Sequence, residues 1–92
     1  MASEAESMGM IYKAVADDSL QEEAMAIASK LAKMPTKGIG LTKRLLNESY
    51  NNTLTEQLNL EGELQTQAGL SYDYQEGVNA FLEKRAPEFK GE

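Results

Sequence analysis

The stretch Asp73-Tyr74-Gln75-Glu76-Gly77-Val78-Asn79-Ala80-Phe81-Leu82-Glu83-Lys84-Arg85-Ala86-Pro87-Glu88-Phe89 reads as a closing helix followed by a stop. Ser71-Tyr72-Asp73 supplies the start, and Asp73 with Glu76 three residues on has the pattern of a capping box, in which each end satisfies an orphan amide of the other. Val78, Phe81 and Leu82 give an apolar stripe only about as wide as a coiled-coil seam. The helix is expected to end near Arg85, since the residue before Pro87 is pushed out of the α region. Phe81 and Lys84 are three apart and so would share a face. Two readings of Lys84-Arg85 stand open: cations complementing the helix dipole, or an anion site in which a phosphate meets Lys84 and a flat ring meets Phe81.

Upstream, the chain punctuates itself into more helices. Thr53 with Glu56 is a capping box opening a helix through Leu54, Leu58, Leu60, Leu64 and Ala68, closed by Gly69. Before it, Thr36 to about Tyr50 forms a helix carrying Ile39, Leu41, Leu45 and Leu46, broken by Asn51-Asn52. Gly38 and Gly40 cost that helix about 1 kcal/mol each relative to alanine. A further helix begins at Leu20, with Leu20, Ala24, Ile27, Ala28 and Leu31 on one face. Asp17-Asp18-Ser19 starts it, Ser19 and Glu22 form its capping box, Lys30 and Lys33 suit its last turn, and Pro35 ends it. Ser3 and Glu6 cap one short turn that Gly9 stops. Met10 to Val15 is apolar and partly β-branched, which reads as a strand. No second strand follows in the chain, and a lone strand is not stable in water. The expected class is all-α: about four helices with one short N-terminal strand-like run.

Composition restricts the chemistry. The 92 residues contain no cysteine and no histidine. Ser–His and Cys–His nucleophiles are thereby excluded, and a zinc site would need carboxylates alone. No metal site is expected. The net charge of −6 opposes nucleic acid, which proteins bind by neutralising phosphates, and equally opposes an anionic membrane surface. No apolar run approaches the roughly 18 residues of a membrane span. The N-terminal segment is acidic where a signal peptide is basic, so a cytoplasmic location is expected. Hydrophobic residues make up 41 % of the chain, too many for a disordered tail. Lys37-Gly38-Ile39-Gly40 lacks the spacing of a phosphate loop. Glu61 and Glu63 fall on different faces of their helix, and Lys43-Arg44 reads as a solvated face. No catalytic residue is expected within the chain.

The closing helix resembles that of the enoyl-CoA hydratase/isomerase (crotonase) superfamily, which typically ends in Glu-Gly-x-x-Ala-Phe-x-x-Lys-Arg-x-Pro-x-Phe, matched here from Glu76 to Phe89. Ala5-Glu6-Ser7-Met8-Gly9-Met10-Ile11-Tyr12-Lys13 is similar to the family segment that runs into a late strand, and Thr42-Lys43-Arg44-Leu45-Leu46-Asn47 to one of its helices. Their order and spacing extend the resemblance across essentially the whole chain. Asn52-Thr53-Leu54, Gln57-Leu58, Leu60-Glu61, Gln65 and Ala68-Gly69, with Ser71 and Asp73-Tyr74, look most like the phenylacetate-degradation branch, which contains the ring 1,2-epoxyphenylacetyl-CoA isomerase.

The resemblance implies that residues 1–92 are the C-terminal helical, oligomerising domain of a crotonase-like (ClpP/crotonase) fold, with the catalytic spiral core absent. It implies a parent enzyme that stabilises a thioester enolate in an oxyanion hole, with no tightly bound cofactor and an acyl-CoA substrate. It implies packing on the parent's own core and on neighbouring subunits, as trimers or hexamers. It carries the CoA-binding role of the family's last helix onto Phe81 and Lys84. The segment alone is expected to be inactive. The alternative is a stand-alone acidic helical interaction module without catalysis.

Overall fold

A computed structural model describes residues 1–92, with five α-helices and one 3-10 turn. They fall into two compact units, residues 1–30 and 31–92.

In the first unit, α1 spans Ala2–Ser7. Ser3 lies inside it rather than capping it; the N-terminal ammonium donates to Glu4 at 2.8 Å in the place of the expected Ser3–Glu6 box. Gly9, at φ 75°, ends the helix in a conformation that glycine adopts without steric cost. Met10 to Val15 is not a strand. A strand satisfies its amides through a neighbour, and none is present, so the segment finds local acceptors instead. The Met10 amide donates to the Ala5 carbonyl at 2.8 Å, and the Ala14 amide to the Glu6 carboxylate at 3.0 Å. Asp17–Ser19 forms the 3-10 turn leading into α2, Leu20–Ala32. Ser19 donates to Asp18 at 3.4 Å, so the expected Ser19–Glu22 box is not formed.

The second unit holds α3 (Thr36–Ser49), α4 (Leu54–Gly69) and α5 (Tyr72–Glu83). Pro35 precedes α3 at φ −70°, a value its ring imposes and that suits a helix start. The capping box of α4 forms as read: the Glu56 amide donates to Thr53 Oγ1 at 3.3 Å and the Thr53 amide to Glu56 Oε2 at 2.7 Å. That bond with the Thr53 amide is the main reason the Glu56 carboxyl lies below its ordinary pKa. Helix α4 packs against both α3 and α5, and the buried apolar side chains are Leu64 of α4 and Ala80 of α5. This is a small apolar core. Ser71, Asp73 and Glu76 are buried beside it, so much of the order in this unit comes from polar groups.

Candidate functional site

The end of α5 and the residues after it form a closed polar structure. Ser71 caps the helix: its Oγ accepts from the Tyr74 amide at 3.1 Å. Asp73 is therefore free of capping, which corrects the expected Asp73–Glu76 box. Its carboxylate accepts instead from the backbone amides of Lys90, at 2.6 Å, and Gly91, at 2.9 Å, while its own amide donates to the Glu92 carbonyl at 2.9 Å. One turn along α5, the Glu76 carboxylate accepts from Arg85 Nη1 and, at 3.0 Å, from Nη2, and its Oε1 also accepts from the Glu88 amide at 2.9 Å. A carboxylate buried without partners would be costly; these two are paired with the tail, and no buried side-chain polar atom in the structure lacks a partner.

Residues 86–92 are irregular and are thereby strapped back along α5. Gly91 is what allows the approach, while at Gly77 an added Cβ would make only ordinary contact with the tail. The Phe89 ring lies 3.6 Å from where a Cβ on Gly77 would sit, and a Cβ on Gly91 would come within 2.5 Å of Thr36 Oγ1. Gly91 also has φ 77°, which other residues adopt only with strain.

Electrostatics follow the geometry. The Arg85 guanidinium, then the Glu88 amide, hold the Glu76 carboxyl down to about 2. Because its folded pKa is depressed, Glu76 adds stability above the ordinary carboxylate range, near 4.5, and that stability is lost as the pH falls towards 2. Glu76 and then Glu83 raise the Arg85 pKa further.

The helix ends earlier than expected, at Glu83 rather than near Arg85. The Lys84 amide donates to the Phe81 carbonyl at 3.3 Å and the Arg85 amide to the Ala80 carbonyl at 3.0 Å, the paired bonds of a Schellman cap. The left-handed position of that cap, normally glycine, is Lys84, at φ 55° and ψ 42°. Of the two residues expected to bind CoA, Phe81 is 83 % exposed on α5, and Lys84 follows one residue beyond the helix, also exposed. The three-residue helical spacing does not extend to Lys84; the terminating turn is what links the two. No ion pair engages Lys84, because Arg85 takes both neighbouring acids, Glu76 and Glu83, the latter at 2.6 Å.

Phe81 also lines an open apolar groove of about 470 Å3, with Gly77, Val78 and Leu82 of α5, Ala68 of α4 and Gly38 of α3. Lys43-Arg44 lies elsewhere, on α3, where Arg44 pairs with Glu48 at 2.9 Å, as a solvated face does. The structure contains no group of three or more histidine, cysteine or acidic side chains placed to hold a metal, and no helix is long and apolar enough to cross a membrane.

Reading residues by type alone missed Asp73, Glu76 and Arg85 as an anchoring set. The available signal was a pair of acids three apart on one helix, followed by an arginine and a tail containing Gly91.

The all-helical fold matches the C-terminal helical part of the crotonase fold. The enoyl-CoA hydratase/isomerase family model matches residues 1–92, and the chain belongs to that family. It is 48 % identical over 90 residues to 1,2-epoxyphenylacetyl-CoA isomerase of Escherichia coli strain K12, covering 98 % of this chain and 34 % of the relative. It is 42 % identical over 90 residues to a protein of Rhodobacter capsulatus named "Probable enoyl-CoA hydratase", covering 98 % of this chain and 35 % of that one. An enoyl-CoA hydratase structure from Geobacillus kaustophilus HTA426 superposes with a TM-score of 0.88 at 32 % identity, covering 98 % of this chain and 34 % of the other. The chain spans about a third of the length of the relatives it matches.

Proposed function

We propose that residues 1–92 are the C-terminal helical domain of an enzyme acting on acyl-CoA thioesters. They cover the enzyme's core and neighbouring subunits, and they contribute Phe81 and Lys84 to the nucleotide end of the coenzyme A site. One observation carries the CoA role: Lys84 is held in a glycine-type backbone conformation, exposed and without a counter-ion, its amide bonded to the carbonyl of Phe81, whose ring is also exposed. An ammonium left unpaired in a chain of net charge −6 is suited to a phosphate, and the Phe81 ring to a flat base. Phe81 and Leu82, 83 % and 71 % exposed, share an open apolar groove with Val78 and support the packing role, since contiguous exposed apolar surface marks an interface. The 48 % identity to the isomerase against 42 % to the hydratase-named relative favours the phenylacetate-degradation branch.

The chemistry itself, enolate stabilisation in an oxyanion hole, is assigned to the core and not to any residue of this segment. In the full-length protein, Lys84→Ala is expected to raise KM for acyl-CoA about tenfold with kcat nearly unchanged, the mark of binding lost equally from ground and transition states. An unchanged KM removes Lys84 from the site. The 92-residue chain alone is expected to hydrate or isomerise no acyl-CoA, and turnover by pure material overturns the domain assignment.

A further inference from the structure

We infer that Arg85 and Glu76 are positioning residues for Lys84: their ion pair fixes the left-handed turn that presents the lysine and keeps its ammonium free for an anion. The inference rests on the CoA reading of Lys84 given above.

A left-handed conformation is unfavourable for lysine, because its Cβ crowds the following carbonyl, and it persists only where the surroundings impose it. On the helical side, Lys84 follows directly on α5 and its amide is bonded to the Phe81 carbonyl. On the other side, Arg85 is fixed three ways. Its amide reaches the Ala80 carbonyl, its guanidinium grips both oxygens of buried Glu76, and its Nη1 donates to the Ala86 carbonyl at 3.3 Å. Glu76 also holds the Glu88 amide at 2.9 Å, closing the loop behind Arg85. With both flanks held, Lys84 between them is kept in the left-handed region.

The same arginine acts electrostatically. Glu83 precedes Lys84 directly and would be a local partner for its ammonium. Arg85 Nε occupies that carboxylate at 2.6 Å. Exposed pairs are weak, yet an ammonium already engaged by a neighbour must give that partner up to bind phosphate. Removing Arg85 therefore harms Lys84 twice, by loosening the turn and by releasing Glu83.

The test uses the full-length protein and adenosine 3′,5′-bisphosphate, which resembles the nucleotide end of coenzyme A, titrated by calorimetry. Lys84→Ala is expected to weaken binding about tenfold, and Arg85→Ala about fivefold, each factor of ten being about 1.4 kcal/mol. Glu83→Gln placed on Arg85→Ala is expected to recover part of the loss, a response that a merely structural arginine would not give. The Lys84 Cα chemical shift should leave its left-handed value in Arg85→Ala. Should Arg85→Ala fail to fold, Arg85→Lys keeps the charge, removes the two-pronged grip, and is expected to weaken binding about threefold. Wild-type affinity in a folded Arg85 variant, with Lys84→Ala weakened, overturns the positioning role and leaves the CoA reading intact. Wild-type affinity in Lys84→Ala overturns the CoA reading, and this inference with it.

Discussion

Residues 1–30 and residues 71–92 both lack a large apolar core, yet they are held in opposite ways. In the first, no residue is buried, and the ties are exposed, such as Lys13 to Glu23 at 2.8 Å. In the second, buried Asp73 and Glu76 gather five backbone or guanidinium donors from the residues after α5. The contrast shows where a short helical segment can obtain order without apolar bulk. A charge-assisted hydrogen bond to a desolvated carboxylate is worth about twice a neutral one, and leaving such a group unpaired is far worse than never burying it. Exposed pairs of the kind seen in residues 1–30 contribute little.

The sharpest break of this contrast is at Asp73. Asp73→Ala removes the acceptor of two tail amides and is expected to cost about 3 kcal/mol, measured by urea denaturation. Fast amide exchange at Lys90 and Gly91, with α5 still protected, would show that the tail alone had been released. A cost below about 0.5 kcal/mol would mean that the tail is held by Phe89 and the backbone rather than by the carboxylate.

Gly91 comes next. Gly91→Ala meets two obstacles, φ 77° and the close approach to Thr36 Oγ1, and is expected to cost about 1–2 kcal/mol in the same measurement. Adding Thr36→Ala removes the steric part and leaves the backbone part, so the two should separate as a non-additive pair. Full additivity would show that the tail shifts to avoid Thr36.

These two regions also show what residue patterns can and cannot specify. The helices α2 to α5 were legible because their apolar spacing and breakers are local, and the Thr53–Glu56 box was legible because nothing competes for it on an exposed surface. Asp73 and Glu76 have the same three-residue spacing, and the local rule failed there. Ser71, two residues earlier, takes the cap, and tail donors seventeen and eighteen residues away claim Asp73. No short-range pattern encodes that competition. The same limit applies to Lys84: a lysine near a helix end reads as dipole compensation, and its left-handed backbone is decided by Glu76 and Arg85. Spacing alone leaves the anion-site reading open beside the dipole one, and the resemblance, which carries Phe81 and Lys84 as a pair, is what favours a binding role there.

The smallest effect is expected where residue type and structure disagree most. Met10 to Val15 has the composition of a strand and the conformation of a bend and loop. Ile11, 42 % exposed, and Tyr12, 83 % exposed, stand outside the buried core of the 92-residue chain, so truncation there should matter little. Ile11→Ser should change its stability by less than about 0.5 kcal/mol. The same substitution in the full-length protein is expected to cost about 1–2 kcal/mol, because an apolar side chain on a paired strand is covered. Equal costs in the two settings would show that these residues gain no sheet neighbour in the larger protein. Their β-branched composition would then have to be explained by the bend alone, whose amides already find acceptors in Ala5 and Glu6.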